Sequence, residues 1–474
     1  MNKSSYDSIL SRKNEIMKKS VGVDYSQYEY EGIGFDYEAM MNASGYELGE
    51  IKKIQKETGV GTTPLIELKN INSLIKKYSE KGKGARIFVK DEEKNPSGSF
   101  KDRRASVSVY KAKEMGYKGV IAATSGNYGA AVASQAAKRG LKSIIVQETY
   151  DSKGIGQPEI LEKTRACEAY GAEVVQLSVG PELFYYFLIL LEETGYFNAS
   201  LYTPYGINGV ETLGWEIATQ SKELLGKYPD VVVSTHAGGG ITTGTARGLK
   251  KAGALNTRVY GASVDLTGLH MASDNDFNRK SFTTGHTGFG IPFATFPDRS
   301  DVPRNAARVL RYMDKYLLVT QGEVFYVTEM LANIEGMLRG PAGNTSLAAA
   351  FALAREMNED KIIVVNETEY TGAGKLPSAQ LTFAKENGIE IKRGNPIDEI
   401  PGKNIIIPEN PSQIIYKDYP MVNLKKSYLK QILKSTKKEN LTENDFDYLI
   451  EELKSNMIEI KALLNEEENW CNKE

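Results

Sequence analysis

The chain has 474 residues, enough to bury a large core and to form more than one domain. Its 59 Lys and Arg against 61 Asp and Glu leave a formal charge of −2, without the basic excess of a nucleic-acid binder. Two cysteines, Cys167 and Cys471, give neither a disulfide framework nor a zinc pattern, and the longest apolar run, Leu183 to Leu191, falls short of the ~20 residues that span a bilayer.

The opening residues, Met1 to Asp7, have no hydrophobic signal core, so a cytoplasmic protein is expected. The string Asn95-Pro96-Ser97-Gly98-Ser99-Phe100-Lys101-Asp102-Arg103 then sets Lys101 after a turn of small residues and at the mouth of a helix-forming run. A lysine there can be a covalent anchor if burial or cationic neighbours lower its pKa from about 10.4, and Arg103 and Arg104 follow at once. By itself Lys-Asp-Arg is an ordinary surface tripeptide.

Further along, Gly119 to Ala122 predicts a strand running into Ala123-Thr124-Ser125-Gly126-Asn127-Tyr128-Gly129, with an alanine-rich helix from Ala130 to about Lys138. Asn127 there is either a helix cap or a ligand contact. More strands are expected at 143–146 and 172–177, and Cys167, in a helical pattern, reads as a core thiol. The β-branched run Asp230 to Ser234 leads into Thr235-His236-Ala237-Gly238-Gly239-Gly240-Ile241-Thr242-Thr243-Gly244 and a helix beginning near Thr245. Strand, glycine turn and helix N-terminus together present backbone N–H groups to an anion, a phosphate site that requires no lysine. The string is neither a P-loop nor the G-x-G-x-x-G fingerprint. His236 reads as a packed histidine at a strand end, whereas His286, in a glycine-rich loop, could form one wall of a substrate cleft. A last buried-strand pattern, Ile362 to Val365, runs through Asn366 to Tyr370 into the turn Thr371-Gly372-Ala373-Gly374. From Leu424 on, helical spacing predicts two amphipathic helices whose charges form a solvated face or a docking surface. Strands alternating with helices make the fold class α/β with mainly parallel sheets.

The order N-P-S-G-S-F-K-D-R resembles the cofactor attachment site of fold-type II pyridoxal phosphate enzymes, the group of threonine synthase, serine dehydratases and the tryptophan synthase β subunit. Gly61 to Leu65, the S-G-N loop, the glycine turn and the segment Glu335 to Gly343 share the likeness, which spans about 59–376. It implies that Lys101 carries pyridoxal 5′-phosphate and that Gly238, Gly239, Gly240, Ile241 and Thr242 help hold it. Asn127 would touch the ring hydroxyl, and Thr371 the pyridine nitrogen, a hydroxyl partner that leaves a weaker electron sink than a carboxylate. Thr124, Ser125, Gly126 and Asn127 would receive the substrate carboxylate. The implied architecture is two parallel-sheet domains with the cofactor cleft between them. These are a large domain of 59–105 and 205–401 and a small mobile one of 106–204, with an N-terminal extension at 1–58 and a helical C-terminal extension at 402–474.

Residues Tyr6 to Lys19, the long tail and the doubled arginine after Lys101-Asp102 are similar to the β-subunit family of 2-amino-4-oxopentanoate thiolases. That resemblance implies coenzyme A as co-substrate, acetyl-CoA and alanine as products within ornithine degradation, a small α-subunit partner and homodimerisation. Two alternatives stand beside it. One is a threonine-synthase-like or diaminopropionate-lyase-like enzyme; the other is a non-catalytic scaffold subunit, against which the intact Lys101 and glycine turn argue.

Overall fold

A computed structural model describes residues 5–124, 126–180, 182–266, 280–285, 296–299, 301–370 and 372–466. In chain order its strands are β1 (Leu65–Glu67), β2 (Arg86–Asp91), β3 (Gly119–Thr124), β4 (Lys142–Tyr150), β5 (Glu173–Ser178), β6 (Phe197–Asn198), β7 (Val231–Thr235), β8 (Arg258–Val264), β9 (Lys315–Val319), β10 (Ile362–Glu367), β11 (Glu390–Arg393), β12 (Asn404–Ile407) and β13 (Lys417–Tyr419). The larger sheet has the order β1-β2-β10-β7-β8-β9-β13, with its five inner strands parallel and both edge strands antiparallel. A second, wholly parallel sheet has the order β5-β4-β3-β6, and β11 pairs with β12 separately.

Continuous β-branched runs fix the centre of the larger sheet, because a strand covered on both faces can be apolar at every position. Val231, Val233, Ile363 and Val365 face Leu347 and Phe351 of the helix Pro341–Glu356. Val232 and Val364 face Val210, Leu213 and Ile217 of the helix Pro204–Leu225. Each such side chain contributes roughly 1.5–3 kcal/mol by leaving water. The apolar run of 183–191 lies in the helix Glu182–Thr194, where Leu183, Phe187, Leu188 and Leu191 cover Ile121, Ile144 and Val146 of the smaller sheet. Among the described residues no helix is long and apolar enough to cross a membrane.

Close helix packing sets the spacing of the functional loops. A Cβ at Gly209 would overlap the carbonyl of Arg103, and one at Gly214 would overlap that of Thr245. The helix Pro204–Leu225 can therefore lie against both Lys101–Glu114, which begins with the candidate lysine, and Gly240–Lys251, which follows the glycine turn.

The segments on either side of the family-like region are built into one core. Phe35, Tyr37 and Met40 near the start pack in the same cluster as Tyr128 and Val132 and as Leu424, Tyr428 and Leu449 of the tail. The tail differs from the two helices expected: it adds β13 to the edge of the larger sheet and then forms Met421–Ile432, Glu443–Glu452 and Met457–Asn465. The break between the last two falls where Asn456 caps a new helix by accepting the N–H of Glu459. Two other helices begin earlier than the sequence suggests, at Gly240 rather than Thr245 and at Asn127 rather than Ala130. In both, the turn residues themselves take helical geometry.

Candidate active site

Lys101 is the first residue of the helix Lys101–Glu114 and reaches into a cavity of about 180 Å³ between the two main sheets. The turn before it is stitched to the end of β10: Phe100 donates its N–H to Thr368 O at 3.0 Å and Tyr370 to Gly98 O at 2.8 Å. Gly98 has φ +77°, and a Cβ there would strike the Tyr370 ring. Ser97 donates through both N–H and Oγ to Asp102, at 2.7 and 2.6 Å. The lysine is thus presented by a turn that its neighbours hold from both sides.

Burial pushes the Lys101 amine well below its ordinary pKa, and the charge of Arg104 adds to the effect. Only one of the two following arginines contributes. Arg103 points away, into a buried network with Glu92 at 2.6 Å and Glu216 at 2.8 Å, whereas Arg104 lines the cavity. A neutral amine in an enclosed space is a nucleophile toward an aldehyde.

The glycine turn lies across the cavity. Gly238, Gly239, Gly240 and Ile241 line it, and Thr242 is fully buried at the helix start. Gly239 has φ +78°, while a Cβ at Gly238 or Gly240 would overlap Tyr202 Oη or Arg104 Nη2. No side chain caps the helix Gly240–Lys251, and the buried hydroxyls of Thr242 and Thr243 have no hydrogen-bond partner. An oxyanion of phosphate size answers those donors.

Thr124, Gly126 and Asn127 also face the cavity. Asn127 is the first helical residue and not the cap; the Thr124 hydroxyl takes the N–H groups of Gly126 and Gly129, at 2.9 and 3.2 Å. The Asn127 amide is left to donate to Glu369. Ser125, His286 and Thr371 fall outside the described residues. His236 is buried at the end of β7 with its ring edge-on to Tyr316, 5.1 Å between centroids, and burial lowers its pKa to about 4. It does not line the cavity. The Cys167 thiol is buried and pushed up to about 12.

Several cavity residues were not anticipated. The end of β10 delivers Thr368 and Glu369 to the wall, a placement that strand alternation alone leaves open. Lys375 pairs with Glu369 at 2.6 Å and with Glu159 at 3.2 Å, and Lys163 donates to Tyr370 Oη at 2.7 Å. Burial works to raise the Glu369 carboxyl, but Lys375 and Lys163 outweigh it and hold the group below its usual value. Glu159 is raised by burial, and its Oε2 has no partner. Lys163 is lowered to about 7, mainly by burial and then by the charge of Lys375. Farther along the wall, burial raises Glu148 to about 8. Glu148, Glu159 and Lys163 come from the smaller sheet and its helix Pro158–Ala169, so only tertiary structure joins them to Lys101. Among the described residues no group of His, Cys, Asp and Glu could hold a metal ion.

Residues 56–369 match the model of the family described as "Pyridoxal-phosphate dependent enzyme". The chain is 65% identical over 462 residues to the "2-amino-4-ketopentanoate thiolase beta subunit" of Acetoanaerobium sticklandii, covering 98% of each chain. It is 28% identical over 299 residues to a threonine synthase of Bacillus sp. (strain ULM1), covering 61% of this chain and 76% of that one. Two solved structures share the fold. A pyridoxal 5′-phosphate-dependent aspartate racemase aligns with TM-score 0.56 at 18% identity, over 70% of this chain and 98% of its own; a T.th. threonine deaminase aligns with 0.52 at 24%, over 69% and 99%. The Lys101 amine with its lowered pKa, the side-chain-free turn and the uncapped helix mouth with its unpartnered hydroxyls fit an aldehyde that carries a phosphate. The chain belongs to the family of pyridoxal-phosphate dependent enzymes.

Proposed function

We propose that this chain is the cofactor-bearing subunit of an enzyme that cleaves 2-amino-4-ketopentanoate with coenzyme A, giving acetyl-CoA and alanine in ornithine degradation. The carrying observation is the 65% identity to a thiolase β subunit over 98% of both chains, joined to a cavity that holds the lysine and the phosphate turn. A small second subunit completes the enzyme, and the chain also pairs with a second copy. The electrostatic reason for a partner is that it would bring cations for the phosphates of coenzyme A, whereas this chain's 59 Lys and Arg are balanced by 61 Asp and Glu.

Pyridoxal phosphate supplies an electron sink conjugated to the amino acid's Cα. This chain's residues do the rest. Lys101 anchors the cofactor, and when freed its amine removes and returns the proton at Cα. Gly238, Gly239, Gly240, Ile241 and Thr242 hold the phosphate, Asn127 the ring hydroxyl and Thr371 the pyridine nitrogen. The loop of Thr124, Ser125, Gly126 and Asn127 takes the substrate carboxylate, and His286 is a further substrate contact. Glu159, with one free oxygen on the wall and a raised pKa, accepts the thiol proton as sulfur attacks the C4 carbonyl; the C3–C4 bond then breaks, the acetyl group leaves on sulfur, and C3 takes that proton to become the methyl of alanine. Burial keeps water, the competing nucleophile, from that carbonyl.

The test is acetyl-CoA formation from 2-amino-4-ketopentanoate and coenzyme A by the purified chain, with and without the small subunit. Turnover that needs both proteins is the expected result. Release of ammonia without coenzyme A would instead assign the chain to the lyases.

A further inference from the structure

Six arginines are buried among the described residues: Arg103, Arg104, Arg139, Arg247, Arg308 and Arg339. Five of them pair with a carboxylate, respectively Arg103 with Glu92, Arg139 with Glu57, Arg247 with Glu211, Arg308 with Glu452 and Arg339 with Asp91. Arg104 is the exception. It is 2% exposed; Nη1 donates to Leu201 O at 3.3 Å, Nε has no partner, and its guanidinium lies near the rings of Phe100 and Tyr202, at 5.3 and 5.4 Å. Beyond burial, the groups that act on it are Tyr202, Tyr128 and Arg299, none of them a carboxylate. A buried cation without an anion is costly, so the arrangement calls for a negative ligand.

The position of that ligand is set by what Arg104 touches. Its Nη2 lies against Gly240, where a Cβ would overlap it, at the first residue of the uncapped helix Gly240–Lys251. The guanidinium without a carboxylate meets the open N–H groups of the helix mouth on the cavity wall, and the unpartnered hydroxyls of Thr242 and Thr243 belong to the first turn of the same helix. A carboxylate would satisfy one of these demands, whereas a phosphate monoester has enough oxygens and charge for all of them.

We infer that Arg104 is itself a ligand of the cofactor's phosphate, so that this chain holds the dianion with a guanidinium charge as well as with the glycine turn. A glycine turn at a helix mouth needs no cation to bind phosphate; here the residue three positions after the anchoring lysine supplies one. The consequence reaches Lys101. After burial, the charge of Arg104 is the next largest cause of the lysine's lowered pKa. A bound dianion offsets that charge, so the amine is least basic before the phosphate arrives, when it must attack the aldehyde, and more basic afterwards, when it must move protons.

The experiment uses the full-length apoenzyme, with R104Q and R104K, in phosphate-free buffer. Inorganic phosphate binding is measured by calorimetry, and the affinities for pyridoxal 5′-phosphate and for pyridoxal, which lacks the phosphate, by absorbance. Loss of a charged hydrogen-bond partner should weaken R104Q for phosphate and pyridoxal phosphate by about 10- to 100-fold. Pyridoxal, which feels Arg104 only through the basicity of Lys101, should be weakened far less than its phosphate, R104K should restore part of the loss, and the R104Q apoenzyme should melt no lower than wild type, since an unpaired buried charge has been removed. R104Q that binds phosphate and discriminates pyridoxal phosphate from pyridoxal as wild type does would overturn the inference. So would equal loss of pyridoxal and its phosphate together with a lowered melting temperature, the mark of a purely structural arginine. A wild-type chain that bound no pyridoxal phosphate would refute the cofactor, while the inorganic phosphate arm would still decide the role of Arg104.

Discussion

Lys375 lies 2.6 Å from Glu369, at the end of β10 in the larger sheet, and its ammonium also reaches Glu159, 3.2 Å away on the helix Pro158–Ala169 of the smaller sheet. One fully buried lysine thereby joins two carboxylates that the chain brings from opposite sides of the cavity.

Removing that lysine leaves two buried acids facing each other. Lys375→Met should destabilise the protein by about 3–5 kcal/mol, the range for breaking a buried pair. The sign with pH follows from the carboxyls, whose folded-state pKa values rise above their unfolded ones once the lysine is gone. The folded state then binds the extra protons, and the loss grows as pH rises. Urea melts at pH 5.5 and pH 8.5 should show the larger loss at pH 8.5, and equal losses would contradict the pairing.

Lys101 should be the residue that borohydride fixes to pyridoxal phosphate, identified by peptide mapping. Because burial, then the charge of Arg104, lowers its pKa, the amine has a larger neutral fraction than an exposed lysine at the same pH and protonates as pH falls through the lowered value. Cofactor incorporation, followed by absorbance, should persist to lower pH than imine formation by an exposed lysine and should slow as pH falls further. Lys101→Ala should remove the label and cost at least about 10²-fold in turnover.

Gly239 combines φ +78° with tight surroundings, a Cβ there lying 2.7 Å from Val309 Cβ. Gly239→Val should cost about 1–2 kcal/mol for the left-handed backbone alone. Displacement of the turn should weaken pyridoxal phosphate binding by about 10-fold or more, the worth of one charged hydrogen bond. Full affinity in a fluorescence titration would show that the turn does not hold the phosphate.

Cys167 offers a control on the packing of the smaller sheet. With its pKa pushed up to about 12 by burial, the thiol should resist alkylation in the native protein and react in urea, as read by mass spectrometry of its peptide. Rapid native modification would mean that the helix Pro158–Ala169 does not cover it.

The sequence by itself determined the lysine, the glycine turn and the α/β class. Each depends on neighbours in the chain: a turn of small residues before a helix, a strand before three glycines, and unbroken β-branched runs that suit only a doubly covered sheet. It also indicated that Cys167 and His236 belong to the core, since their helical and strand-end contexts made packing the simpler role. What it could not determine is which of two adjacent arginines faces the lysine. Arg103 and Arg104 differ by a rotation of about 100° on their helix, and only the positions of Glu92, Glu216 and the glycine turn decide that the first is paired and the second open to the cavity. The same holds for Glu148, Glu159 and Glu369, unremarkable acids in the sequence. Burial raises Glu148 and Glu159, whereas Glu369 is held low by Lys375 and Lys163, charges that meet it only in the folded cavity.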